Sequence, residues 1–470
     1  MLLFFIPANN IFYIRKIGLI SSGLVFILSI LLLNFFSLNY FYFQGIITYS
    51  FGFDFLNFYF FVGLDGVSIF FFILSSLLIF LCILFIWNEQ LIKEYTIMLL
   101  ILDFLLLIVF STLDILFFYI FFEAILIPMY IIIGIWGSRQ RKIRAAYLFF
   151  FYTLIGSLCM LLSLLYIYKN VGTLNYEYVY WHPFTFYEQC WLWLGFFMSL
   201  ATKIPLFPFH IWLPEAHVEA PTVGSVLLAG ILLKLGVYGF LRFNLTLFPE
   251  ASFFFSPIIY VFSILGIIFA SLSALRQTDL KRIVAYSSIA HMNLVTMGIF
   301  SFNTFGIEGS IIQSISHGFV SGAMFLLIGI LYKRYHSRLV FYFSGLTHTM
   351  PLYSTFFLLF TLANIALPGT SSFVGEFLLL TGLYKTNTLA TLFATTGVVL
   401  CGSYSLWLYN RICFGNLQFY TTRYYEDIDF KEFFILIILF FLVLFMGLYP
   451  TFFLKYLHFS AANFILITIV

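Results

Sequence analysis

Charge is what this sequence has least of. Only 9% of its 470 residues are Asp, Glu, Lys or Arg, against about 25% in a soluble globular domain. With 63% of residues hydrophobic, so few charges could not cover a soluble surface. Long polar connections are also lacking, so no soluble domain fits between the apolar runs. The runs last roughly 20 residues, enough to cross a bilayer as a helix. They lack the apolar–polar alternation of a membrane β-barrel. Cysteine is sparse and scattered: Cys82, Cys159, Cys190, Cys401 and Cys413 form no local metal or iron–sulfur motif. They read mostly as small packing residues. The opening MLLFFIPANN is neither an Arg-rich transit peptide nor a cleavable signal. What abounds is Phe and Tyr, 67 and 31 residues. That fits an A+T-rich organelle gene, or simply an aromatic surface facing lipid.

The expected fold is an all-α polytopic membrane protein with about 13 transmembrane helices. The spans read as 17–36, 65–88, 95–112, 114–135, 144–168, 190–214, 220–241, 256–275, 278–300, 307–332, 349–383, 387–410 and 432–453. The aromatic stretch 37–64 reads as a hairpin at the membrane surface, and 411–431 as a polar loop. With the N-terminus inside, 16 basic residues fall in inner loops and four in outer ones, namely Lys169, Arg242, Lys385 and Lys455. This is the asymmetry that sets orientation in membranes. The chain divides into N-terminal helices with the hairpin (1–113), a first half (114–275), a second half (278–415) and a C-terminal helix and tail (416–470).

Five ionisable residues fall inside spans: Asp103, Glu123, Lys203, Lys234 and Glu376. Each costs about 2.5–3.5 kcal/mol at the bilayer centre. Together they rival a typical folding stability of about 5–15 kcal/mol, so they must be paired, hydrated or neutralised. Lys203 precedes Pro205, Pro208 and Pro214, which must break the helix within the membrane. Glu376 follows a second break at Pro368–Gly369. Two broken helices, each with an ionisable residue at the break, are the pattern of internally repeated transporters, so the two discontinuous helices are expected in an inverted-repeat arrangement. Lys234 lies mid-span, too deep to snorkel. His317 is a candidate proton relay, with His210 and His291 behind it. His336 sits at an inner helix end, where a solvated interfacial histidine is the alternative. Glu123 could instead be a protonated carboxyl bonded to a carbonyl, and Lys234 a purely structural pair. Asp103 serves either a side route or a local bond.

The stretch ATKIPLFPFHIWLPEAHVEAPTVGSVLLAGILLKLGVYGFLRF resembles the antiporter-like subunits of proton-pumping NADH:quinone oxidoreductase, respiratory complex I. FFEAILIPMY, RQTDLKRIVAYSSIAHM, SHGFVSGAMFLLIGILYKRYHSR and LPGTSSFVGEF extend the resemblance from about residue 60 to 415. Glu at 376 favours the M-type branch over its relative with Lys. The resemblance implies a polar axis along the membrane: Glu123 as charged partner of Lys203, Lys234 as central relay, His317 continuing it and Glu376 as terminal acid. It implies no cofactor and no metal in this chain, with NADH, FMN, iron–sulfur clusters and ubiquinone held elsewhere in the assembly. The implied partners are other membrane-arm subunits, especially neighbouring antiporter-like ones, and lipid, with no nucleic acid. The implied location is the mitochondrial inner membrane, or else a bacterial plasma membrane. Two departures stand out: the family usually has 14 helices, and Asp103 falls where its pattern has no acid. The rival readings are a multisubunit cation/proton antiporter subunit, a haem- or quinone-binding subunit and a structural anchor.

Overall fold

In the computed structural model the described residues are 3, 6–37, 42–50, 59–86, 90–416 and 426–469. Arg423, counted above with the inner basic residues, and the hairpin tip at 51–58 lie outside them. The helices are α1 (Ile11–Phe35), α2 (Ser68–Phe85), α3 (Ile92–Ser111), α4 (Ile115–Trp136), α5 (Lys142–Val171), α6 (Tyr176–Trp181), α7 (Phe186–Lys203), α8 (Trp212–Glu219), α9 (Thr222–Leu247), α10 (Pro249–Arg276), α11 (Leu280–Ile299), α12 (Thr304–Tyr335), α13 (Leu346–Thr349), α14 (Pro351–Asn364), α15 (Ser371–Thr386), α16 (Thr388–Cys413), α17 (Phe430–Leu448) and α18 (Pro450–Ile469). Strands β1 (Gln44–Ser50) and β2 (Tyr59–Leu64) pair antiparallel, with an irregularity between Gln44 and Ile47.

Among the described residues, ten helices are long and apolar enough to cross a membrane: α1–α5, α9, α10, α12, α16 and α17. The other three expected spans are the two broken ones, α7–α8 and α14–α15, and the more polar α11. The order of elements recurs. In α4–α10 and again in α11–α17 the third crossing is the broken one.

Polar residues between spans are spent largely on helix ends, whose first N–H groups have no partner within the helix. Asp114 accepts from the N–H groups of Leu116 and Phe117, Asn303 from Gly306 and Asn387 from Ala390. Thr185 with Glu188, and Asp429 with Glu432, form reciprocal capping boxes on α7 and α17.

α9 and α12 are buried along their whole apolar stretch, whereas α1 and α17 are largely open. A helix buried all round tolerates polar groups that a lipid-facing helix cannot, and these two central helices carry Lys234 and His317. They meet at Gly230 and Gly318: a Cβ on Gly318 would lie 3.0 Å from the Gly230 carbonyl oxygen. α9 is also not a regular helix. π-helical segments at Leu228–Leu232 and Phe240–Asn244 flank the turn that carries Lys234. Such insertions concentrate at functional sites.

The topology count needs three corrections. Arg242 is not an outer-loop residue but is buried in the outer end of α9. Lys281, counted with an inner loop, is buried in the first turn of α11. Pro214 does not help break the first discontinuous helix; it lies in the first turn of α8, where a missing N–H costs nothing.

Candidate functional site

The first break spans 204–211. Pro205 offers no N–H, and carbonyls released there find side-chain donors instead. The Trp212 indole donates to Thr202 O at 2.9 Å, and Asn293 Nδ2 of α11 donates to Pro205 O at 3.3 Å. Gly236 of α9 lets that helix press on the break, since a Cβ there would meet Ile204 Cγ1 at 2.5 Å. Lys203 is thereby buried at the break, with its Nζ 4.4 Å from the centre of the Phe122 ring. Glu123, one residue along α4, interacts with it through charge. They are charged neighbours without direct contact. Neither Lys203 Nζ nor Glu123 Oε1 has a hydrogen-bond partner, and no ion pair within 4.0 Å joins the two. Glu123 is only half-buried.

From Lys234 onward the groups follow one another closely. Lys234 is fully buried, and its Nζ donates to the Ala229 carbonyl at 2.5 Å, inside the first π-helical segment. The same Nζ lies 2.8 Å from Nδ1 of His317. The His317 ring centre is 5.9 Å from that of His291. His291 Nδ1 is 3.1 Å from Glu376 Oε1. Gln313 Nε2 donates to the same carboxylate oxygen at 3.2 Å. Gly375 makes that contact possible, because a Cβ there would fall 2.6 Å from Gln313 Oε1. Behind His291, Nε2 meets the Cys401 thiol at 3.7 Å, and Tyr404 donates to Cys401 Sγ at 3.1 Å. The second break brings Glu376 into place. Ala366 and Gly369 take positive φ, Ser371 meets Ser316 of α12 at 2.7 Å, and Ser372 donates to the Ala363 carbonyl.

The string therefore runs Lys234, His317, His291, Glu376, all buried. His291 is its joint, although on sequence alone it stood behind His317. Three other candidates lie apart. Asp103 is buried on α3 with Oδ1 unbonded, facing neighbours of α3 rather than the string. His210 stacks on Phe207 in the first break at 5.5 Å. His336 is exposed and caps the inner end of α12 with φ 50°.

Sequence reasoning missed an inner cluster. His217 of α8 is fully buried, stacked on Phe325 at 4.7 Å, with neither ring nitrogen hydrogen-bonded. It feels the charges of both Lys281 and Lys234. Lys281 Nζ donates to the Ala220 carbonyl at 2.8 Å, Arg338 donates to the Val218 carbonyl, and Glu219 is buried beside them. The signal was present in AHVEAP, a His and a Glu two residues apart within an apolar surround.

Residues 112–401 match the family model described as NADH:quinone oxidoreductase/Mrp antiporter, TM. The chain belongs to this family. It is 53% identical over 464 residues to NADH-ubiquinone oxidoreductase chain 4 of Chondrus crispus, covering 98% of this chain and 94% of that one. It is 52% identical over 466 residues to the protein of the same name from Arabidopsis thaliana, again covering 98% and 94%. Among solved structures, a chain of respiratory complex I from Thermus thermophilus with bound NADH superposes with a TM-score of 0.89 at 31% identity, covering 97% of this chain and 95% of that one. A chain of the Mrp complex from Dietzia superposes at 0.85 with 18% identity, covering 98% and 96%, which is a likeness of fold.

Proposed function

We propose that this chain is a proton-translocating membrane-arm subunit of NADH:ubiquinone oxidoreductase in the mitochondrial inner membrane. Electron transfer occurs in other subunits, which hold the nicotinamide, flavin, iron–sulfur and quinone chemistry. The observation that carries the reading is the buried string from Lys234 through His317 and His291 to Glu376, at hydrogen-bond distance at its two ends and with the two imidazole ring centres 5.9 Å apart between them. Thirteen crossings, with halves meeting at 275–278, fit the recurrence of a broken helix in third place.

Each group has a distinct task. Glu123, half-buried, holds Lys203 charged by attraction without direct contact. When Glu123 is drawn toward a neighbouring subunit, that attraction weakens and Lys203 gives up its proton toward Lys234. Once Lys234 has passed that proton on, it is refilled from the inner side through the cluster of His217, Glu219 and Lys281 and recharges Lys203 in turn. Lys234 passes its proton to Nδ1 of His317, and His291 delivers it to Glu376. Glu376, on the outward-running half-helix α15, releases it. Moving one charge against 100 mV needs about 2.3 kcal/mol, which one ion-pair rearrangement in a low-dielectric site can supply.

The test begins with native membranes solubilised in mild detergent, with complexes separated by size. Comigration of this chain with NADH oxidation, flavin and iron in one large assembly supports the reading. A smaller assembly that exchanges sodium for protons in vesicles makes it an antiporter subunit instead. A Lys234→Ala variant that pumps at the full proton-to-electron ratio removes Lys234 from the path.

A further inference from the structure

Lys234, Tyr238 and Arg242 succeed one another at four-residue spacing on α9, so they climb one face toward the outer side. Arg242 lies about 12 Å above Lys234 at 1.5 Å per residue. Its Nη2 is 2.7 Å from Asp65 Oδ2, both side chains being buried. Its Nε donates to the Tyr238 hydroxyl at 3.3 Å, and the guanidinium lies 4.7 Å from the Phe43 ring centre. Above the pair opens a cavity of about 280 Å³, lined by Tyr42, Tyr176, Glu177, Ser460 and Asn463 among others. These residues belong to outer connections and to α18. Below it lies a layer of rings from four helices. Phe71 stacks on Phe110 at 5.5 Å, Phe110 meets Tyr238 edge-on at 5.4 Å, and Phe118 lies 6.1 Å from Tyr238. All four are buried.

This cavity on the outer side thus comes within a few turns of the central lysine. Among the described residues the ring layer and the Arg242 cation stand between them. A guanidinium stays charged at any working pH and so cannot relay a proton. Positive charge in a narrow passage also repels incoming cations. Asp65, by contrast, is a carboxylate that can carry a proton once its partner is gone. It would then stand beside the Tyr238 hydroxyl with an open step toward Lys234.

We infer that Arg242, held by Asp65 over the ring layer of Phe71, Phe110, Phe118 and Tyr238, is an outward seal that stops protons returning from the outer phase to Lys234. This rests on the reading of Lys234 as a proton carrier. The seal makes the lateral route through His317 the only productive way off the lysine.

The test uses the complete assembly reconstituted in liposomes containing a pH-sensitive dye, with an acid jump on the outer side and no NADH. Arg242→Leu raises passive proton entry by about tenfold or more, while Arg242→Lys stays tight because the cation is kept. Asp65→Asn also stays tight, since it removes the carboxylate that would conduct. Adding Lys234→Ala to Arg242→Leu abolishes the leak. If Arg242→Leu does not assemble, Arg242→Gln removes the charge while its amide can still donate to Asp65, and it leaks with the same dependence on Lys234. An assembled Arg242→Leu complex that stays tight overturns the seal and leaves the proposed function untouched. Equal leaks from Arg242→Leu and Asp65→Asn overturn it by making the pair mere structural glue. A leak that survives Lys234→Ala overturns it because water then bypasses the lysine. Failure of the underlying reading is separate: it is Lys234→Ala alone pumping at full ratio with NADH.

Discussion

His291 is the residue whose replacement tests the contact string most sharply. It is the only titratable group described between His317 and Glu376, and its side chain and that of Glu376 are each 7% exposed. Replacing it with leucine strands a buried carboxylate, and breaking a buried pair costs about 3–5 kcal/mol. That variant would confuse lost stability with lost transfer. His291→Asn is the better perturbation, because its amide can still donate to Glu376 but cannot take up and pass on a proton. A proton leaving His317 must then cross roughly the width of one imidazole without a resting place. Placing a charge there costs about 2.5–3.5 kcal/mol, which at 1.36 kcal/mol per decade slows transfer roughly 100-fold. The assay is NADH-driven dye quenching in proteoliposomes, with NADH oxidation measured in parallel and assembly checked on native gels. An assembled His291→Asn complex that keeps the wild-type proton-to-electron ratio refutes the string.

Gly309→Ala puts a Cβ 2.7 Å from the Leu379 backbone nitrogen. Forcing α12 from α15 in this way costs about 1–3 kcal/mol, visible as a lowered thermal midpoint of the assembly. Asp427 caps the start of α14 from a distant loop, accepting from Leu352 and Tyr353 at 2.7 and 3.0 Å. Asp427→Ala therefore costs about 0.5–2 kcal/mol of stability with the proton-to-electron ratio unchanged; a change in the ratio would tie that loop to transport. Asp103 stands outside the string, so Asp103→Asn leaves pumping intact, and a loss of pumping would reveal a second route through α3.

The long apolar runs and the prolines made the helices and both breaks legible, because span length and missing N–H groups are properties of local sequence. Expensive charges were legible for the same reason: Glu123, Lys203, Lys234 and Glu376 stand out against their surroundings. What local sequence could not convey was which helices are buried on every side. Lys281 and Arg242 looked like loop residues because they sit at span ends, yet tertiary packing covers both. His291 ranked low because nothing near it in sequence sets it apart. Its role arises from α15, 85 residues on, and from Cys401 on α16, 110 residues on. Cys401, which read as a packing residue, is the group that occupies the far nitrogen of His291. The partnership of Glu123 with Lys203 came from the family resemblance alone, since no spacing in the sequence links α4 to the first break.

The histidine contacts also bear on how a proton can move without any side chain swinging. While Lys234 is charged, His317 must accept at Nδ1 and therefore carries its own proton on Nε2. That nitrogen has no hydrogen-bond partner, although the ring of His291 lies next along the string. Imidazole can take a proton on one nitrogen only if it soon loses one from the other, so uptake from Lys234 pushes the Nε2 proton toward His291. His291 holds its Nε2 against a weakly polar thiol and its Nδ1 against a carboxylate. A proton arriving from His317 enters at Nε2, which the thiol 3.7 Å away holds only weakly, and the Nδ1 proton leaves to the carboxylate, the stronger acceptor, so delivery runs onward rather than back. Two imidazoles in series thereby connect a lysine to a glutamate that never touch. The direction of delivery follows from the unequal partners at the two ends: an ammonium at one and a carboxylate at the other. Reversing those partners, by exchanging Cys401 for an acid, should hold the proton on His291 and slow its delivery. Cys401→Asp is therefore expected to lower the NADH-driven pumping rate, with Cys401→Ser near wild type. Equal rates in the two variants would show that the thiol side plays no part in setting direction.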